Sequence, residues 1–238
     1  TTPHELAGWG RTSPGLAHVL RPTSAEQIVA AVAAVAATDA DKPGYLKRGI
    51  VARGLGRSYG DVAKNTGGLV IDLTGLDTIH RIDAEAAIVD LDAGVSLDAL
   101  MRAALPYGLW VPVLPGTRQV TVGGAIGCDV HGKNHHVEGT FGSHVSALTL
   151  IDGRGVEHRL GPEQEPEAFW ATVGGMGLTG VMTEATFDLI PISSSLVSVD
   201  TDRTADLDDL MSRMLSGDDA YRYSVAWVDS AHPSGRGV

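Results

Sequence analysis

The sequence predicts an α+β fold: a two-lobed domain over residues 1–191, then the incomplete beginning of a second α+β domain over 192–238. Three observations predict this arrangement. Short apolar strands alternate with amphipathic helices. The 30 glycines among 238 residues cluster between these elements, as expected where backbone turns sharply or approaches a ligand. Residues 191–195 form a turn-rich boundary. The lobes are expected at about 1–113 and 114–191.

Local patterns place the elements of the first lobe. Ser24 and Gln27 form a capping box ahead of an amphipathic helix. Ser96 is expected to cap a second helix that ends before Gly108. The strands predicted in this lobe are residues 49–52, 69–73, 78–82, 87–91 and 109–113.

The second lobe and the chain beyond it follow the same alternation. The elements predicted for the second lobe are strands at 145–151 and 156–160, a helix at 163–172 and a strand at 181–190. The elements predicted after the boundary are a strand near 196–199, a helix near 207–215 and a strand near 221–228.

Charge and composition exclude several functions. The formal net charge of −11 argues against a nucleic-acid partner, which requires a basic surface. Four cations nevertheless lie within glycine-rich stretches and suggest an anionic small molecule: Arg53, Arg57, Arg118 and Lys133. The single cysteine, Cys128, excludes an internal disulfide. We expect no membrane span, since no apolar run reaches about 18 residues, and no signal peptide is visible.

The loop containing Gly54, Gly56 and Gly60 follows a predicted strand but does not match a Rossmann fingerprint. A Rossmann loop opens directly into a helix. Here a turn at 65–68 and a strand at 69–73 leave no room for one. The loop is therefore expected to bind its ligand through its own backbone N–H groups.

A second glycine surface lies at residues 121–124, possibly at a helix N-terminus that favours phosphate. Together the two loops could hold a diphosphate from two sides. A third glycine cluster lies at residues 174–180. A single cluster is more simply explained as a tight turn, but three clusters in this order favour ligand binding.

The glycine loops resemble the FAD domain of the vanillyl-alcohol-oxidase family, the PCMH-type flavoproteins, over roughly residues 10–190. The runs that carry the resemblance are 53–61, 113–117, 121–127 and 177–180. Residues 8–12, 53–61 and 131–136 resemble more narrowly the members that act on a polyprenyl-phosphate-linked ribose in actinobacterial arabinan synthesis.

The resemblance implies a set of FAD contacts. The pyrophosphate is implied to lie on Arg53, Gly54, Leu55, Gly56, Arg57, Ser58, Tyr59, Gly60 and Asp61, and on Thr121, Val122, Gly123 and Gly124. The remaining contacts, largely to the flavin, are implied for Gly116, Thr117, Cys128, Asp129, Val130, His131, Gly180, Val181 and Met182.

Tyr59 bears on how FAD is attached. Many relatives carry a histidine in the first loop that bonds covalently to the flavin, and Tyr59 occupies that place in the resemblance. A phenol does not make this linkage as imidazole does, so we expect non-covalent FAD. The alternative is that Tyr59 is only a loop aromatic packed on the sheet.

The implied reaction is oxidation of the ribose 2-hydroxyl to a keto sugar, with hydride transfer to flavin N5. A separate NADH-dependent keto-reductase would complete the epimerisation. The candidate catalytic residues are His131, whose imidazole suits proton transfer near neutral pH, and Lys133, a phosphate ligand or, if buried, a base. His131, Gly132 and Lys133 are the implied substrate contacts. Alternatively, His131 only hydrogen-bonds the flavin or the loop backbone.

Several alternatives stay open. Ligand-type side chains cluster within nine residues, but their spacing matches no zinc pattern and we expect no metal there: Cys128, Asp129, His131, His135 and His136. Other possible functions are an alditol or sugar-lactone oxidase of the same superfamily, or a non-catalytic flavin-binding module. The resemblance implies a location in the cell envelope, peripheral at the membrane, with the cytoplasm as the alternative.

Overall fold

A computed structural model describes residues 1–229 and has the predicted α+β character. Its strands are β1 (Thr2–Leu6), β2 (Gly15–Leu20), β3 (Ile50–Arg53), β4 (Leu69–Asp72), β5 (Ile79–Asp83), β6 (Ile88–Asp92), β7 (Leu109–Trp110), β8 (Val145–Ile151), β9 (Glu157–Leu160), β10 (Val181–Asp188) and β11 (Ile190–Pro191). Its α-helices are α1 (Ala25–Asp39), α2 (Leu97–Ala104), α3 (Val122–Gly127), α4 (His135–Glu138), α5 (Pro166–Thr172) and α6 (Leu207–Gly217).

The first sheet has four strands in the order β1-β2-β4-β3. All four lie in the predicted first lobe, but that lobe also contains β5 and β6, which belong to the second sheet. Strands β2, β4 and β3 are parallel, and β1 pairs antiparallel at the edge. Helix α1 packs on this sheet through Ile28 and Val32. The predicted capping box does not form: Gln27 accepts from the N–H of Thr23 at 2.9 Å, one residue before the N-cap Ser24. The Ser24 side chain makes no cap bond and hydrogen-bonds Glu26 instead.

The second sheet is antiparallel, with the order β5-β6-β10-β8-β9. It confirms the predicted hairpin at 78–91 and the predicted pair across the turn at 152–155. The main core lies between this sheet and helices α2, α3 and α5. Ser96 caps α2 as predicted, accepting from the Ala99 N–H at 3.1 Å. The chain then leaves through Gly108, whose φ of 68° is left-handed.

Three strand predictions are wrong, and two strands were missed. The strand predicted at 109–113 is only β7, because Pro112 has no N–H to continue the ladder. Neither 196–199 nor 221–228 forms a strand, since neither run joins a sheet within residues 1–229. Strands β1 and β2 were not predicted.

Helix α6 confirms the helix predicted near 207–215, and Asp206 caps it. The last part of the predicted second domain, 230–238, lies outside the described residues. The domain boundary itself stays a prediction. Among residues 1–229, no helix has both the length and the apolar character needed to cross a membrane.

Candidate cofactor-binding site

A cleft of about 640 Å³ lies between the loop that follows β3 and the segments around α3. Ligand sites typically enclose about 300–1,000 Å³. The structure brings many of the sequence-predicted contacts together around it: Arg53, Gly54, Leu55, Gly56, Arg57, Ser58, Tyr59, Gly116, Thr117, Thr121, Gly123, Gly124, Cys128, Val130, Gly180 and Met182.

Arg53 lies beneath the first glycine loop, residues 54–60, and supports it. Its guanidinium donates to the carbonyls of Ala63 at 2.8 Å and Ala7 at 3.2 Å. Burial lowers the pKa of Arg53 because it disfavours the charged form. A Cβ on Gly56 would lie 2.3 Å from the Arg53 Nη2 atom, and Gly56 also has a left-handed φ of 66°. The loop can therefore fold over Arg53 only with glycine at this position.

The backbone N–H groups of residues 55–59 have no hydrogen-bond acceptor within the described chain. They belong to residues that line the cleft. Successive amides in a loop of this kind form an anion-binding concavity. The expectation that this loop offers its own amides to a ligand, without a following helix, agrees with its geometry.

The amides at the start of α3 behave differently from the prediction. The Val122 N–H donates to the Val95 carbonyl at 2.8 Å, and the Gly123 N–H donates to the Ala93 carbonyl at 2.7 Å. Thr121 Oγ1 accepts from the Gly124 N–H at 3.1 Å. The N–H groups of residues 122–124 are already satisfied, so the prediction that this helix start offers them to phosphate is wrong.

Glycine at this second surface serves close packing. Gly123 and Gly124 both line the cleft, so no side chain projects from them into it. A Cβ on Gly54 would lie 2.1 Å from Thr121 Oγ1, so the two loops approach each other directly. Residues 121–124 shape the cleft wall, and the amides of 55–59 provide donors.

Three of the four predicted ligand-binding cations have protein partners. Arg53 is described above. The guanidinium of Arg57 donates to the Leu55 carbonyl and lies 4.4 Å from the centre of the Trp9 ring. Arg118 forms an ion pair with Asp98 at 2.8 Å. These arginines stabilise the loops, and the local positive charge is a weaker guide to the ligand than the sequence suggested.

Trp9 lines the cleft, although the sequence did not single it out as a cofactor contact. The backbone N–H of Trp9 donates to the Ser58 carbonyl at 2.7 Å, and this bond joins the N-terminal segment to the glycine loop. A Cβ on Gly8 would lie 2.2 Å from the Gly60 carbonyl oxygen. The glycines flanking Trp9 were the available signal. Other lining residues that the prediction missed are Ala52, Val62, Ala63, Leu73, Pro115, Gln119, Val120, Gly127, Met176 and Gly177.

Residues 128–136 are called the histidine segment. Four predicted FAD contacts outside this segment do not line the cleft. Gly60 is exposed beyond the bend, and Asp61 pairs with Lys64 at 3.2 Å. Val122 is buried in the main core. Val181 lines a second cavity of about 320 Å³, between α1 and the start of β10.

Part of the histidine segment lines the cleft through Cys128 and Val130, and the residues from His131 onward lie beside it. Val130 lines the cleft, but the Asp129 carboxylate accepts from the Gly142 N–H at 2.9 Å and faces away. His131 follows Val130 and is exposed, with its ring edge-on to His135 at 5.8 Å. Lys133 is also exposed. Within the described residues 1–229, Lys133 therefore lacks the burial that would favour it as a base.

Buried Asn134 anchors this segment. Its Nδ2 donates to the Pro112 carbonyl at 2.8 Å. Gly132 packs closely against Leu114, whose carbonyl oxygen would lie 2.8 Å from an added Cβ. The rival zinc ligands have other contacts: Cys128 Sγ lies 3.7 Å from Met176 Sδ, and His136 Nε2 lies 3.0 Å from the Tyr221 carbonyl.

The cleft and its unpaired loop amides define a site for an anionic, nucleotide-like cofactor, and the comparisons identify the class of protein. A family model described as an FAD binding domain matches residues 16–161. Because this is more than half of the chain, the protein belongs to this family of FAD-binding proteins, and FAD is its cofactor. The predicted family and cofactor are confirmed.

Two curated relatives show which known enzymes the chain resembles. The chain is 53% identical over 232 residues to the decaprenylphosphoryl-beta-D-ribose oxidase of Mycolicibacterium smegmatis, covering 97% of this chain and 49% of that protein. It is 27% identical over 204 residues to a D-lactate dehydrogenase of Anaerostipes hadrus, covering 83% and 41% respectively. The chain thus spans about half or less of the length of these curated relatives.

A solved structure supports the fold. The crystal structure of 6-hydroxy-D-nicotine oxidase from Arthrobacter nicotinovorans matches with a TM-score of 0.63 and 24% identity. The match covers 73% of this chain and 36% of that chain. The predicted PCMH-type α+β fold is confirmed.

Gly116 provides a test of the cleft as the FAD site. A Cβ here would meet no protein atom within 4 Å, yet Gly116 lines the cleft. We expect Gly116→Val to leave the melting temperature of the apoprotein unchanged. FAD should bind more weakly by about 1–3 kcal/mol, roughly ten- to hundredfold, because the side chain enters ligand space. Quenching of flavin fluorescence measures the Kd.

Gly44→Val is the matched control, because Gly44 also has no atom within 4 Å of an added Cβ and lies away from the cleft. Equal FAD affinity in the two variants would contradict the assignment.

Proposed function

We propose that this chain is the FAD-binding part of an oxidoreductase that oxidises the 2′-hydroxyl of decaprenylphosphoryl-β-D-ribose to a 2′-keto group. This would be the first half of epimerisation to decaprenylphosphoryl-D-arabinose for cell-wall arabinan. The observation that carries the proposal is the 53% identity over 232 residues, which extends well beyond the FAD-domain match at 16–161. The D-lactate dehydrogenase is only 27% identical, so the family alone does not define a substrate.

The proposed roles follow from placement beside the cleft. FAD, when bound, supplies the two-electron acceptor. His131 accepts the proton of the 2′-hydroxyl: it directly follows the cleft residue Val130, and its imidazole is exposed to an incoming substrate. Lys133 binds the substrate phosphate as a point charge. Its exposure suits that role better than the role of base. Gly132 allows the segment to pass close to Leu114.

We also propose that FAD is held without a covalent bond. Among the described residues that line the cleft there is no histidine. Tyr59 lines the cleft with 76% of its surface exposed, so it is not packed on the sheet. Its phenol is available to contact a ligand.

The product chemistry supports a proposed partner. A 2′-keto sugar becomes the epimeric alcohol only after a hydride is returned to the opposite face, which calls for a separate NADH-dependent keto-reductase. The polyprenyl chain of the substrate belongs in a bilayer. We therefore propose that the protein acts at the membrane surface in the cell envelope.

Acid precipitation tests the attachment of FAD. We expect all flavin to remain in the supernatant, because the cleft-lining residues within 1–229 include no histidine to form the histidyl bond. Absorbance of the pellet and supernatant measures the partition, and Tyr59→Phe should behave identically. A yellow pellet would contradict non-covalent binding.

His131→Ala tests the proposed base. We expect anaerobic flavin reduction by a polyprenylphosphoryl ribose to slow by about 10²–10⁴-fold, the usual contribution of a general base. FAD should stay bound, since His131 lies outside the cleft lining. Stopped-flow bleaching of the flavin absorbance measures the rate. His4→Ala, an exposed histidine on β1, is the control.

Other outcomes of this experiment discriminate the functions. Normal reduction of His131→Ala would eliminate His131 as the base. Reduction of the unmodified protein by an alditol or a sugar lactone, but not by the lipid-linked ribose, would replace the proposed substrate. Absence of reduction by every sugar would indicate a binding module.

A further inference from the structure

A group of ligand-type side chains lies on the outer face of the five-stranded sheet. His80 is on β5, Asp92 on β6 and Glu184 on β10. Val89 and Leu91 of β6 are in the core, so strand alternation places Asp92 on the opposite face. His80 sits where the pairing register shifts between Ile79 and Arg81. Such a bulge redirects a side chain.

The three side chains converge. His80 Nε2 lies 2.9 Å from Asp92 Oδ1. One ligand-type atom from each of the three residues lies within 4.8 Å of the other two. The Asp92 side chain is only 12% exposed, whereas those of His80 and Glu184 are 43% and 48% exposed. The group is therefore held by the sheet on one side and open to water on the other.

The carboxylates of this group are poorly compensated by protein charges. Asp92 and Glu184 are direct partners across β6 and β10, and like charges in that relationship destabilise a sheet. Arg159 approaches Glu184 only to 4.0 Å. Its guanidinium donates instead to the Thr149 and Thr186 hydroxyls. A cation held between the two carboxylates would relieve this repulsion.

The atoms that would not face a metal are themselves anchored. Asp92 Oδ2 accepts from the Thr78 N–H at 2.9 Å. Thr149 Oγ1 donates to Glu184 Oε2 at 3.2 Å. Hydrogen bonds of this kind orient the ligands of metal sites.

We propose that His80, Asp92 and Glu184 bind a divalent transition-metal ion, best matched by Zn²⁺, with water completing the coordination. One imidazole and two carboxylates suit zinc better than calcium or magnesium, which prefer oxygen ligands alone. Zinc–ligand distances of about 2.0–2.2 Å place neighbouring ligand atoms roughly 3–3.5 Å apart. The His80–Asp92 pair, at 2.9 Å, is already close to this spacing, and the half-exposed Glu184 carboxylate has a second oxygen besides the one that is bonded to Thr149.

The site would link the edge strand β5 to the centre of the sheet. It is distinct from the cleft and independent of the proposed oxidase function. Because zinc would bind the folded protein, it should also raise the melting temperature.

Calorimetric titration of ZnCl₂ into the chelator-treated, FAD-loaded protein tests the proposal. We expect one saturable site, with affinity falling more than about tenfold in both His80→Asn and Glu184→Gln. Zinc should raise the melting temperature of the unmodified protein and leave that of both variants unchanged. Glu157→Gln removes an exposed carboxylate on β9 of the same sheet and should bind zinc normally. Flavin absorbance confirms that each variant is folded.

Two results would overturn the site. One is the absence of saturable zinc binding to the unmodified protein. The other is normal zinc affinity in His80→Asn and Glu184→Gln together with loss of binding in His135→Asn, which would place the ion on the histidine segment.

Discussion

The cofactor site depends on a loop that is supported from beneath by a half-buried arginine. The Arg53 guanidinium ties together carbonyls of two other segments and occupies the space where a side chain at position 56 would lie. The loop consequently bends over Arg53, and the amides of residues 55–59 are left without protein acceptors in the described chain. Unpaired amides beside apolar walls require a ligand or water, and a diphosphate satisfies several at once.

The opposite wall contributes shape. The start of α3 directs its amides to Val95 and Ala93, which fastens the helix to the segment after β6. Thr121 both caps this helix and contacts Gly54 across the cleft. Polar binding and close packing are thus divided between two glycine-rich segments that look similar in sequence. Trp9 and Arg57 complete the rim through the stacking of a cation on an aromatic ring.

Features with local causes could be predicted from the sequence. Ser96 as a helix cap, the hairpin at 78–91 and the absence of a helix between Gly60 and Leu69 follow from neighbouring residues, and the structure has all three. Features set by distant partners could not. Strand β2 pairs with β4, about fifty residues later in the chain. The α3 amides find acceptors almost thirty residues earlier, so a helix start that looked free is already satisfied.

The position of the histidine segment also depends on distant partners and could not be predicted from the sequence. Its composition suggests catalysis or metal binding, but its position beside the cleft depends on Asn134 and on contacts with Leu114 and Tyr221. Similarly, Glu184 lies more than ninety residues after His80 and Asp92 and meets them only because β10 pairs with β6. The sequence shows which side chains have suitable chemistry, and the sheet order decides which of them meet.

Hydrogen–deuterium exchange with and without FAD tests the central claim most directly. The amides of residues 55–59 should exchange rapidly in the apoprotein and become strongly protected when FAD binds, because the ligand supplies their missing acceptors. The amides of residues 122–124 should already be slow and change little. New protection at 122–124, with none at 55–59, would contradict the assignment of the diphosphate to the first loop.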